Sequence, residues 1–185
     1  MKTNESVVMY VLRLTLTLLI ITSVVAAALA GVNSITKPII DQLNAEKTLK
    51  AIETVLPGGG ELLDSFTDET GYVDAVYKSA AGYAVQVTPG TGFDGDITMM
   101  VGIDLSGNVL GISIISHSET AGLGAVAAAS TSAGEAFRGQ FEGMSGSVSV
   151  AKDGGEVDAI TGATITSRAI CDGVNAALAC VANMG

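Results

Sequence analysis

The first apolar pattern in the chain is a run without any period. No charged residue occurs between Leu14 and Thr36, a stretch that reads LTLTLLIITSVVAAALAGVNSIT. About twenty such residues in an α-helix rise roughly 30 Å, the thickness of a bilayer's hydrocarbon core. Val7 to Leu12 extend the run towards the N-terminus, and Arg13 can carry its charge outward on its aliphatic stem. The pattern predicts a transmembrane anchor over residues 1–36. A cleaved signal peptide is the rival reading, because Ala26 to Ala30 places small residues where cleavage would fall. The run is long for the apolar part of such a signal, which favours a retained span.

From Asp41 to Leu56 the pattern turns helical. Ala45, Leu49, Ile52 and Leu56 recur on one side, with Glu46, Lys47, Lys50 and Glu53 opposite, and Pro57 followed by Gly58–Gly60 stops the helix. An acidic stretch, Glu61–Glu69, reads as a linker into a short strand at Tyr72–Lys78. Residues 37–81 are therefore expected to form a juxtamembrane helix and linker. From Gly82 the period becomes two. Tyr83–Thr88 is one strand, and Asp96–Asp104 is a clearer one, with Ile97, Met99, Val101 and Ile103 alternating against Thr98, Met100 and Gly102. Ser106-Gly107-Asn108 turns the chain into a second hairpin strand, Val109–Ser116. Ala121–Arg138 reads as partly helical, Ser147–Lys152 as a short strand, and Ser167–Asn183 as a helix with Ile170, Val174, Ala177, Leu178 and Val181 on one face. Strands followed by helices predict an α+β domain over residues 82–185.

Composition narrows the chemistry. The chain has 185 residues, 48% of them apolar and 15% charged, with nine basic residues against nineteen acidic ones. That balance argues against binding nucleic acid or an anionic surface through a basic patch. Residues 1–36 sum to +1, so the remainder carries −11. Lys2 and Arg13 on one side of the apolar run face Lys37, Lys47 and Lys50 on the other, so the positive-inside rule does not orient it. Two Cys and one His are too few for a closed zinc site or a disulfide framework. Cys171 and Cys180 share the last helix at about 13 Å along its axis, beyond disulfide reach, and read as buried structural thiols.

Two loops hold the remaining candidates. The first, His117-Ser118-Glu119-Thr120-Ala121-Gly122-Leu123-Gly124, joins a carboxylate, hydroxyls and two glycines to the only His, directly after a strand. Glycines there let the backbone come close to a ligand. The second, Asp158-Ala159-Ile160-Thr161-Gly162-Ala163-Thr164-Ile165-Thr166-Ser167, runs into the last helix. Its hydroxyls at 161, 164, 166 and 167 stand where free N–H groups and the helix dipole favour a phosphate, with Arg168 as added charge. A plain Thr/Ser cap behind a Gly turn is the bland alternative.

Asp158 to Thr164 resembles the flavin-attachment motif of the FMN-binding domain family, Asp-x-x-(Ser/Thr)-Gly-Ala-Thr. Gly92–Ile97, the hairpin after it, HSETAGLG and Gln140–Gly143 resemble the same family, over roughly residues 80 to 183. Ala121 departs from it, since the family pattern has Pro there. Within the family the similarity is to the G subunits of Rnf-type ion-translocating ferredoxin:NAD oxidoreductases, with the C subunits of sodium-pumping NADH:quinone oxidoreductases as relatives.

The resemblance implies that Thr164 carries FMN through a phosphoester bond. It implies a separate flavin transferase that recognises Asp158 and the Thr161-Gly162-Ala163 neighbourhood. Gly122, Leu123 and Gly124 would let backbone approach the flavin ring, with Glu119 and Thr120 as hydrogen-bond partners. The implied role is an electron relay in a membrane complex that couples electron flow to ion transport. Its partners are the other subunits, and its flavin domain lies on the extracytoplasmic side of a single-pass anchor. The relay needs no catalytic residue and no metal. Two alternatives stand beside it: a membrane-tethered flavin reductase, and a non-flavin anchored assembly module with Thr164 unmodified.

Overall fold

The computed structural model describes residues 2–184 and has an α+β fold. The chain divides into two compact units, Met1–Ala45 and Glu46–Gly185. The expected anchor and the expected amphipathic helix belong to one continuous helix, α1 (Lys2–Val55), which runs through Pro38. Its most apolar window has mean hydropathy 2.3, and none of that window is buried. Leu14, Leu18, Ile21, Val25 and Leu29 are all exposed, and apolar side chains surround the helix rather than forming a stripe. A helix that is apolar all round belongs in a lipid setting. Thr15, Thr17 and Thr22 donate their hydroxyls to backbone carbonyls one turn earlier, so these three leave no unpaired hydroxyl on that surface.

In the second unit, β1 (Glu61–Leu62), β2 (Val73–Lys78), β3 (Gly82–Val87), β4 (Ile97–Asp104) and β5 (Val109–His117) form one antiparallel sheet in chain order. Its first strand lies in the stretch read as a linker, where Glu61 pairs with Lys78. The alternation in β4 sorts the two faces. Ile97, Met99, Val101 and Ile103 pack towards α3 (Thr164–Ala182) and meet Ile170, Val174, Ala177 and Leu178. Met100 points the other way, beside Ala84, into a smaller cluster closed by Ala51, Ile52, Val55 and Leu56. Burying the larger of these side chains stabilises the docking by about 1.5–3 kcal/mol each. The buried face of α1 is thus 51/52/55/56 and not 45/49/52/56: Leu49 is 68% exposed. Only the last turns of the helix reach the sheet. Gly102 makes that approach possible, since a Cβ there would overlap the carbonyl oxygen of Val55.

The β4–β5 turn is as expected, with Asp104 Oδ1 accepting from the backbone N–H groups of Ser106 and Asn108. Ala121–Arg138 contains a 3-10 turn at Gly124–Ala128 and α2 (Ser132–Gly139). The strand expected at Ser147–Lys152 is not formed; Val150 makes a single bridge to Val157, and Ala151–Asp153 is a 3-10 turn. The reason lies in α3. The Asn175 amide takes both backbone groups of Val148, accepting from its N–H and donating to its carbonyl, so a side chain occupies the bonds a neighbouring strand would need.

α3 is apolar enough to cross a membrane by length and composition, yet 61% of it is buried within the fold, as befits a core helix. Burial, with Asp172 adding repulsion, pushes the Cys171 thiol up from 9.0 to about 12. Between those values the folded chain holds a proton that the unfolded chain releases, so stability falls as pH rises from about 9 towards 12. Melting curves of wild type and Cys171→Ala across that range are expected to diverge, with the variant flatter.

Candidate functional site

The loop before β4, the loop after β5 and the start of α3 meet at one end of the sheet. Glu119 is the joint. It is 7% exposed. Its Oε1 accepts from the N–H groups of Phe93 and Asp94 at 2.8 and 3.3 Å, and its Oε2 accepts from the Thr166 hydroxyl at 2.6 Å. Close packing enforces the arrangement, because a Cβ at Gly124 would overlap both Glu119 Oε2 and Thr166 Oγ1. Thr120 donates to Asp94 Oδ2 at 2.9 Å, a second tie between the same loops. The turn at Ala121 closes without the family's Pro: the N–H groups of Leu123 and Ala125 both donate to the Thr120 carbonyl. His117 Nδ1 accepts from the Glu119 N–H at 3.1 Å, so the lone His shapes this loop.

α3 begins at Thr164, three residues before the expected start at Ser167, and its N-cap is Ala163, which offers no capping side chain. Gly162, at φ +77°, supplies the left-handed turn that precedes it. Each hydroxyl of the motif has its own task. Ser167 Oγ donates to the Ala163 carbonyl and accepts from the Ile160 N–H, clasping the loop to the helix. Thr166 serves Glu119. Thr161 is exposed. Thr164 Oγ1 accepts from Lys152 Nζ at 3.2 Å.

A cavity of about 340 Å³ opens beside Thr164. Glu119, Thr120, Leu123, Gly124, Gly162, Ala163 and Thr164 all line it, so most of the sequence-predicted residues come together. Asp158, Thr161 and Gly122 do not; they line a separate groove with Phe137 and Gln140. Gln140 pins the start of the motif by accepting from the Asp158 N–H at 2.7 Å and donating to its carbonyl at 3.1 Å. Arg168 is also elsewhere. It pairs with Asp153 through Nε and Nη2 at 2.6 and 2.7 Å and holds that carboxyl below its ordinary value.

Sequence reasoning missed Lys152, which reaches Thr164 from twelve residues upstream with no local pattern to mark it. It also left Phe93 and Ile165 without a role. These line the cavity together with Leu123, and all three are exposed, at 65%, 47% and 43% respectively. The site therefore combines an apolar rim with a hydroxyl, a cation and an uncapped helix start. That set suits an aromatic ligand bearing an anionic group.

Comparison with known proteins matches residues 92–179 to the family described as the FMN-binding domain. Over its whole length the chain is 31% identical to the G subunit of the Na(+)-translocating ferredoxin:NAD(+) oxidoreductase complex of Acetobacterium woodii, covering 99% of that protein. It is 33% identical to the G subunit of the ion-translocating oxidoreductase complex of Methanosarcina acetivorans, over 88% of this chain and 89% of the relative.

Proposed function

Since the chain belongs to the G-subunit family of ion-translocating oxidoreductase complexes and carries an FMN-binding domain, we propose that it relays electrons through FMN esterified to Thr164. One observation carries the reading: the Thr164 hydroxyl lines a cavity of about 340 Å³ at the uncapped start of a 19-residue helix. The volume falls at the low end of small-ligand sites, and the cavity is open enough for part of a flavin to extend beyond it. Bound FMN supplies the electron-carrying chemistry. The protein's part is to hold and position it. The free N–H groups and dipole of α3 favour the remaining phosphate charge, typically by about 0.3–1 kcal/mol at an exposed helix end. Phe93, Leu123 and Ile165 offer apolar contact to a ring.

The relay works between other redox subunits of a membrane complex that couples ferredoxin:NAD oxidoreduction to ion transport, as the name of the Acetobacterium relative describes for that protein. The apolar part of α1 is read as a single-pass anchor, with the flavin domain on the extracytoplasmic side. A flavin transferase installs the cofactor. The exposed Asp158 and Thr161, held outward by the Gln140 brace, leave the start of the motif accessible to it.

Intact mass tests the attachment. A chain produced together with a flavin transferase is expected to gain one FMN less one water, and Thr164→Ala to return to the bare polypeptide mass. Wild-type chain that stays at its bare mass would falsify the covalent reading. Turnover of a soluble substrate by the loaded chain without partner subunits would replace the relay with a reductase.

A further inference from the structure

Among the described residues, Lys152 is the one cation lining the Thr164 cavity. Its neighbour in the same 3-10 turn, Asp153, is the obvious partner for a lysine, yet that carboxylate is taken by the two-pronged Arg168 contact. Among the described residues the Arg168–Asp153 pair is the only salt bridge. Lys152 is left with a neutral hydroxyl as its hydrogen-bond acceptor, and that hydroxyl belongs to Thr164. The turn that presents it is itself anchored: Arg168, one turn into α3, ties Asp153 to the same helix whose first residue is Thr164. The two ends of the Lys152–Thr164 contact are thus held in register by an ion pair that consumes the competing charge.

Taking FMN attachment at Thr164 as given, we infer that Lys152 is the cationic positioning residue for the phosphodiester at that site. An ester on Oγ1 keeps one negative charge on the non-bridging phosphate oxygens, within reach of an ammonium that already contacts the bridging atom. A charge-assisted hydrogen bond is stronger than the neutral one it replaces. The lysine therefore fixes the direction in which the phosphate leaves the helix start, and with it where the flavin lies against the Phe93–Leu123–Ile165 rim. Arg168 serves at one remove, by keeping Asp153 from capturing Lys152.

The test uses the full-length chain loaded by a flavin transferase, with Lys152→Gln and Lys152→Arg beside wild type. Intact mass comes first: bare wild-type chain removes the attachment, and this inference along with it. On loaded chains, the phosphorus-31 resonance of the phosphodiester is expected to shift in Lys152→Gln and to move back towards the wild-type position in Lys152→Arg. The flavin midpoint potential is expected to become more negative in Lys152→Gln, since a nearby positive charge is lost. Both differences should shrink as salt rises from about 0.05 to about 0.5 M, because an exposed pair is screened. A Lys152→Gln chain that loads fully, with unchanged resonance and potential, overturns the assignment while leaving Thr164 attachment intact. Unequal loading, lost with Gln and kept with Arg, supports it.

Discussion

Glu119→Ala is expected to lower the melting temperature of the globular unit by roughly 10 °C, equivalent to about 3 kcal/mol at this size. The substitution removes the acceptor for three donors at once: the N–H groups of Phe93 and Asp94 and the hydroxyl of Thr166. Each buried donor left without a partner costs about 1–3 kcal/mol, and solvent reaching the Phe93 loop offsets part of the sum. Glu119→Gln should be much milder, at about 1 kcal/mol, because its amide oxygen still accepts from the two N–H groups while its NH₂ can donate to Thr166 Oγ1. Thermal melts of the three proteins separate these cases. An alanine variant as stable as wild type would mean that the carboxylate does not brace the site.

The second large effect concerns the back of the sheet. Gly102→Ala would drive a methyl group into the carbonyl oxygen of Val55, a backbone atom that cannot rotate aside. The expected cost is about 3 kcal/mol, at the upper end of overpacking penalties. The amides of Ala51 to Leu56 should lose hydrogen-exchange protection as the end of α1 separates from Ala84 and Met100. Gly111, directly across the ladder from Gly102, is the internal control. Nothing lies within 4 Å of a Cβ built there, so Gly111→Ala should stay within about 1 kcal/mol of wild type. Equal effects at the two positions would remove the steric explanation.

How far residues announce structure can be followed element by element. The β4–β5 hairpin is readable because Ile97, Met99, Val101 and Ile103 alternate cleanly and Asp104 and Gly107 form a turn with local hydrogen bonds. The start of α3 falls three residues earlier than the hydroxyls suggest, because Gly162 sets the turn and Ala163 caps without a side chain. Alternation at Ser147–Lys152 reflects real burial of Val148 and Val150, but their environment includes an amide from α3 that no local window contains. The same limit applies at the site. Thr164 is visible within its motif, and Glu119 in its loop, because neighbours in the chain mark them. The carboxylate's three bonds cross 25 to 47 positions, and Lys152 reaches Thr164 across twelve, so their tasks emerge only once the chain has folded. Arg168 illustrates the converse, since a guanidinium four residues after the hydroxyl looks available in the sequence, but Asp153 holds it.

The Ser167 clasp bears on what could be transplanted elsewhere. Its two bonds reach back to Ile160 and Ala163, so the seven residues ending at Thr164 owe their shape to one lying beyond them. A tag cut at that threonine would tumble among many conformers, whereas one extended through the serine and a further helical turn would bring its own fastening.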